Sequence, residues 1–177
     1  MELPRKLETT RLILREPRLS DASAIFEGYT QDAEVAKYLV WRPHQAISET
    51  NAFLADCVDG WDARTRLPYV LTLAAKDTAI GMLEARPRAH LVDVGYVLAR
   101  RYWGQGLMSE ALSELASVCL SLPEVFRVQA TCDVDNIALA LTLEKVGFKL
   151  EGRLERHTVH PNLSPHPRAC FMYARTR

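Results

Sequence analysis

Gly104 and Gly106 stand one residue apart between a strand-like run and a helix-like run, with Arg101 three residues ahead of the first. Residues of these types at this spacing can hold an anion. Glycine lets an anion approach the backbone closely. A helix starting just past the pair offers unpaired N–H groups and the positive end of its dipole, and phosphate is the usual anion held there. Two common phosphate loops are excluded by spacing. A dinucleotide fingerprint would place a third glycine at 109, where Ser109 stands, and no Gly-Lys-Ser/Thr follows as a Walker loop requires.

The elements that must position this turn are legible on either side. Val92, Val94, Tyr96 and Leu98 alternate with Asp93, Gly95, Val97 and Ala99, the period of a strand. Gly95 weakens such a strand, which predicts a bulge there or a close approach to the backbone. After the turn, Met108, Ala111, Leu112, Leu115 and Val118 recur at helical spacing. Upstream, Thr10–Arg15 reads as a strand burying Leu12 and Leu14 and ended by Pro17. Ser20 reads as the N-cap of a helix to about Tyr29, with a short helix over 32–39 and a third from Ser48 to Trp61. Residues 69–75 and 79–85 form a hairpin around Lys76-Asp77-Thr78, the second strand closed by Pro87. Phe126, Val128, Ala130 and Cys132 mark a strand parallel to the one at 92–99. Residues 137–146 carry both periodicities. Asn136 as N-cap and Gly147 past the end decide for a helix, apolar on most sides and hence buried. Strands over 148–155 and 169–174 complete an α/β (α+β) chain.

The 177 residues suit one domain over 1–177, with 22 basic and 22 acidic side chains giving net charge +0. Nothing in that balance points to nucleic acid. No apolar run approaches a membrane span, and MELPRKLETT lacks a signal peptide's apolar region. The four scattered cysteines, Cys57, Cys119, Cys132 and Cys170, fit packed thiols in a reducing, cytoplasmic setting.

Arg101-Tyr-Trp-Gly104-Gln-Gly106 resembles the Q/R-x-x-G-x-G/A signature of the GNAT superfamily of N-acetyltransferases. LETTRLILREPRLSDA is similar to the first strand and helix of its RimJ/RimL-like branch. Asn136, followed eleven residues later by Gly147-Phe148, resembles that family's N-x(10)-G-F element. The resemblance covers nearly the whole chain. It implies a GNAT-like, mixed and mostly antiparallel twisted sheet of about seven strands with helices on both faces. It also implies acetyl-CoA as co-substrate, its pyrophosphate on Arg101, Trp103, Gly104, Gln105, Gly106, Leu107 and Met108. Backbone N–H groups of Tyr96, Val97 and Leu98 would face the thioester and pantetheine, with Asn136 near the sulfur. As a plain N-cap, Asn136 needs no ligand at all, and Arg101 reads equally as a solvated side chain.

An amine with pKa near 10.4 is mostly protonated at neutral pH, so a carboxylate must take a proton before it attacks. By resemblance Asp93, ahead of the Gly95-Tyr96 pair, is the first candidate and Glu84 on the neighbouring strand the second. Either reads equally as a solvated face residue. Two positions depart from the family: Leu143 stands where many members carry an acidic tyrosine, and Leu139 where the branch often carries serine. Trp41 reads as a lid on the core or, by resemblance, as a border of the acceptor pocket. His160 and Asn162, in the proline-fixed stretch HTVHPNLSPHPR, are further acceptor-side candidates or part of a dimer contact. The histidines there lack acidic or cysteine partners, so no metal is expected. The reading is an acetyl-CoA-dependent N-acetyltransferase acting on a primary amine, on a protein N-terminus or a small molecule, by direct attack. A degenerate acyl-CoA sensor is the rival, and a nucleotide-binding module a remoter one.

Overall fold

The computed structural model describes residues 1–177. One eight-stranded sheet runs in the order β1-β2-β3-β4-β5-β6-β8-β7. Its strands are β1 (Lys6–Glu8), β2 (Leu12–Arg15), β3 (Leu67–Leu73), β4 (Lys76–Arg88), β5 (Leu91–Leu98), β6 (Arg127–Asp133), β7 (Lys149–Thr158) and β8 (Arg168–Thr176). Every neighbouring pair is antiparallel except β5 and β6. The helices are α1 (Ala22–Ile25), α2 (Ala33–Ala36), α3 (Ile47–Ala63), α4 (Leu107–Ser121) and α5 (Ile137–Lys145). None is long and apolar enough to cross a membrane.

Alternation along the strands builds two apolar layers. Leu12, Leu14, Leu83, Ala85, Val92, Val94 and Leu98 pack with Leu112 and Leu115 of α4 and Leu143 of α5. Val70 and Met82 pack with Ile25, Tyr29, Leu54 and Cys57 of the α1–α3 side. Asp93, Gly95 and Val97, odd-numbered on β5, therefore share the α1–α3 face.

Several local expectations shift. The sheet has an eighth strand because Lys6–Glu8, too short to show periodicity, pairs with β2. The first hairpin turns at Ala74-Ala75, and Lys76-Asp77-Thr78 belong to β4. β4 also runs through Pro87, past its last β3 partner at Leu67↔Ala85, where a residue without an N–H removes no bond to β3. Ser20 lies inside a 3₁₀ turn (Leu19–Asp21) and is not a cap. The short helix covers only Ala33–Ala36, with the Glu34 N–H donating to Asp32 Oδ1 (3.0 Å). α5 is not buried: Ile137 and Leu141 are about three-fifths exposed, and Leu143 alone is fully covered.

The turn into α1 is fixed by charge. Arg15 Nη1 and Nη2 donate to Asp21 Oδ2 (2.9 Å) and Oδ1 (2.7 Å), and both residues are buried. The Arg18 N–H donates to the same carboxylate (2.8 Å). Removing one partner of a buried pair strands the other. Asp21→Ala should cost about 3–5 kcal/mol by urea denaturation. An unchanged midpoint would show that the pair holds nothing together.

Candidate active site

β5 and β6 pair over only three rungs, Leu91↔Arg127, Val92↔Val128 and Asp93↔Gln129. From Val94 onward the β6-facing edge of β5 has no strand beside it. Gly95, expected at a bulge or a close approach to the backbone, sits in an unbroken β4–β5 ladder as the partner of Glu84. The kink is instead this divergence from β6. The glycine serves a close approach: a Cβ at Gly95 would lie 3.1 Å from Arg86 Nη2.

The divergence opens a cleft of about 470 Å³, within the size range of small-molecule sites. Tyr96, Val97, Leu98, Trp103, Gly104, Gly106, Leu107, Met108 and Asn136 all line it, as do residues 34, 35 and 37–39 and the Leu139, Leu141 and Lys145 side of α5. Arg101 and Gln105 are not among its lining residues. Arg101 lies against the Tyr102 ring (5.2 Å), and Gln105 Nε2 donates to the Arg101 carbonyl (2.9 Å). Trp103 works from the side, its Nε1 donating to the Leu98 carbonyl (2.7 Å) and tying the turn to the end of β5.

Gly106 is the N-cap residue of α4, at φ +74°, a backbone state that costs other residues roughly 1–2 kcal/mol. Two cations that the sequence does not single out converge on it. A Cβ at Gly106 would lie 3.7 Å from Arg11 Nη2 and 4.0 Å from Lys145 Nζ. Arg11 is held there by Glu110 in the first turn of α4 (Nε to Oε2, 2.6 Å) and by the Gln105 carbonyl (2.9 Å). Burial alone would raise the Glu110 carboxyl. Hydrogen bonds from Thr9 and Arg11 outweigh it and hold the group below its ordinary range. The turn thus combines α4's free N–H groups with two positive side chains.

Asn136 stands on the opposite wall. Its Oδ1 accepts from the Leu139 N–H (3.2 Å), so the capping role is filled. The approach to it is fixed by Asp133, fully buried, which accepts from Arg168 Nε (2.6 Å) and Nη2 (3.0 Å) and from the Asp135 N–H (3.0 Å). Burial would raise the Asp133 carboxyl; Arg168 and the Asp135 N–H more than offset this and lower it. Tyr96 reaches from β5 towards α5. Its hydroxyl is buried without a hydrogen-bond partner, the nearby Thr142 hydroxyl donating to the Ala138 carbonyl (2.8 Å). Burial pushes the Tyr96 phenol well above its ordinary value, so it stays protonated.

Asp93 and Glu84 lie outside the lining of this cleft, joined in a chain of charges on the α1–α3 face. Arg86 donates to Asp93 Oδ1 from Nη2 (2.5 Å) and Nε (3.1 Å), and to Glu84 Oε2 from Nη1 (3.2 Å). Arg66 Nε donates to Glu84 Oε1 (2.6 Å). Asp93 Oδ2 has one long contact, from Gln129 Nε2 (3.4 Å). Both Glu84 oxygens are engaged, whereas Asp93 keeps one available.

Among the residues expected near an acceptor, Trp41 is half-buried beside His44 (5.4 Å between rings), and His44 meets the edge of Phe53 (6.4 Å). Partial burial lowers the His44 pKa. Asn162 Nδ2 donates to the carbonyls of Ala36 (2.7 Å) and Trp41 (2.8 Å), strapping the β7–β8 loop to this segment. His160 is 5% exposed, with Nε2 3.7 Å from Asp133 Oδ2. It faces the interior and is not placed to touch an acceptor. No group of three His, Cys, Asp or Glu side chains lies close enough to hold a metal.

A splayed pair of parallel strands, a glycine turn at a helix start and an asparagine on the far wall thus bound one cleft. Residues 11–149 match the Acetyltransferase (GNAT) domain, and the chain belongs to the GNAT acetyltransferases. It is 26% identical over 176 residues, 97% of each chain, to the Bacillus subtilis (strain 168) protein described as uncharacterized N-acetyltransferase YoaA. The fold is shared with the Microcin C7 self-immunity acetyltransferase MccE, solved with acetyl-CoA and AMP (TM-score 0.86, 20% identity, 99% and 98% of the two chains). It is also shared with RimL, a ribosomal L7/L12 α-N-protein acetyltransferase solved with coenzyme A (TM-score 0.83, 22% identity, 95% of each).

The lowered Asp133 pKa carries a pH signature. Its stabilising effect is complete above the unfolded value near 3.8 and is lost as pH falls through the lower folded value. Arg168→Ala should therefore destabilise the protein by about 1–3 kcal/mol at pH 7. The gap from wild type should close in thermal melts taken below about pH 3.8. A gap independent of pH would locate the effect elsewhere.

Proposed function

We propose that this chain is an acetyl-CoA-dependent N-acetyltransferase that acylates a primary amine by direct attack within a ternary complex. The observation that carries the reading is the unpaired β5 edge opening beside the Gly104–Gly106 turn. Acetyl-CoA would bring an activated acetyl thioester. The α4 N–H groups, Arg11 and Lys145 would take its phosphates, each charged hydrogen bond worth about 1.5–3 kcal/mol. The backbone of Tyr96–Leu98 would meet the pantetheine amides as an added strand does and support the carbonyl oxygen, with Asn136 alongside.

Of the two carboxylates beside the cleft, Asp93 is favoured as the base. It keeps one carboxylate oxygen available, while its other is held by Arg86. Glu84, with both oxygens engaged, is left to orient Arg86. Leu143 is fully buried, so no acid acts from that position on α5. The Tyr96 hydroxyl, protonated and unpartnered behind the cleft wall, is the candidate donor to the leaving thiol. These absent family hydroxyls also favour the rival reading, a binding module without turnover. CoA release with an amine panel separates the two.

Acetyl-CoA at about a hundredfold over Kd should add about 2.7 kcal/mol of stability, a melting rise of about 5–10 °C. Gly106→Trp should remove that rise while the variant still melts cooperatively. A retained rise would put the ligand elsewhere. Asp93→Asn should lower kcat by about a hundredfold or more. Unchanged kinetics would dismiss Asp93 as the base.

A further inference from the structure

An open cavity of about 550 Å³ lies on the α1–α3 face, separate from the cleft, lined by Thr65, Arg66, Glu84, Arg86, Pro87 and Arg88 without a hydrophobic residue. Its position follows from register. Residues 84, 86 and 88 alternate onto one face of β4. Arg66, one step before Leu67↔Ala85, stands across from Arg86, which stands across from Asp93, which pairs with Gln129. This polar row therefore crosses four strands at the last rung before β5 and β6 part.

The row adjoins the cleft. The Arg86 guanidinium lies over Gly95, where a Cβ would be 3.1 Å from Nη2. Val97, which lines the cleft, follows on the same face two residues on, about 7 Å away at strand rise. A half-buried aromatic wall leads to the same place. Trp41, His44 and Phe53 follow one another, and Arg66 lies 5.8 Å over the Phe53 ring.

Charge gives the ligand its chemistry. Glu84 and Asp93 are matched by Arg86 and Arg66, and Arg88 is exposed at the rim with its guanidinium in no ion pair. The cavity is thus net positive, with Arg88 and Arg66 Nη1 as donors, Arg66 Nη2 being turned towards Cys57 Sγ (3.9 Å). A guanidinium fork matches a carboxylate or similar oxyanion bidentately. A cationic acceptor such as a polyamine would meet this surplus positive charge.

We propose that this cavity is an anion subsite for the acceptor, selecting a small amine that carries its own carboxylate, as an α-amino acid does. The amine would lie beside the free oxygen of Asp93, outside the Arg86 guanidinium that covers Gly95, and the carboxylate would reach towards Arg66 and Arg88. This rests on the acetyl-transfer reading.

The test compares thiol release from acetyl-CoA with free α-amino acids, the matching primary amides, spermidine, and short peptides with an acidic second residue. Free acids should exceed their amides at least tenfold in kcat/KM, mainly through KM, and spermidine should be poorest. Arg88→Gln, and independently Arg66→Gln, should bring acid and amide within about threefold of each other. Amides or spermidine matching the acids, peptides outrunning free acids, no turnover of the acids, or a preference untouched by either substitution would overturn the subsite. Stabilisation by acetyl-CoA, measured in parallel, distinguishes the failures. If it persists the subsite alone falls, and if it is missing the acetyl-transfer reading falls too.

Discussion

The parting of β5 from β6 after Asp93↔Gln129 is the constraint on which the rest depends. A sheet that stayed paired would satisfy the β5 backbone internally and leave no room between α2 and α5. Because pairing stops, N–H and C=O groups of β5 face a cleft and must find partners in a ligand or water. Neighbouring elements keep it open. Tyr96 props β5 against α5, Trp103 ties the glycine turn to Leu98, and Tyr38 donates across to the Asp135 carbonyl (3.1 Å).

The glycine turn is a tertiary product as much as a local one. Its helix dipole comes from the sequence at 104–121. Its added positive charge comes from Arg11, nearly a hundred residues upstream, and Lys145 at the end of α5. Glu110 makes this possible. In α4's first turn it accepts from Arg11 and from the Thr9 hydroxyl (2.6 Å), joining the β1–β2 turn to the helix that bounds the cleft. The glycine turn, the N-terminal hairpin and the sheet are therefore one mechanical unit.

What sequence reveals here follows the range of the cause. Strong periodicity located β5, α4 and β6, and end signals settled α5 where its periods conflicted. The turn at 104–106 was legible because glycine is required by backbone geometry. Long-range pairings were not. Nothing in the neighbourhood of Arg11 or Lys145 points to Gly106. Gly95 looked like a bulge because a glycine in a strand has two explanations, and the guanidinium it accommodates belongs to the neighbouring strand. α5 was expected buried because apolar residues usually are. Ile137 and Leu141 are exposed, and Leu141 lines the cleft. His160, in a loop of proline and polar residues, gave no hint that it would sit beside Asp133.

Asn162 carries a consequence for how substrate choice can change. One amide nitrogen fastens the β7–β8 loop to Ala36 and Trp41, so the aperture facing the aromatic wall keeps its span whichever side chains occupy it. On the proposed reading, replacements along Trp41, His44 or Phe53 would reshape the acceptor entrance while leaving the Gly104–Gly106 turn as it is. Descendants of such a chain could then exchange acceptors while inheriting one donor site.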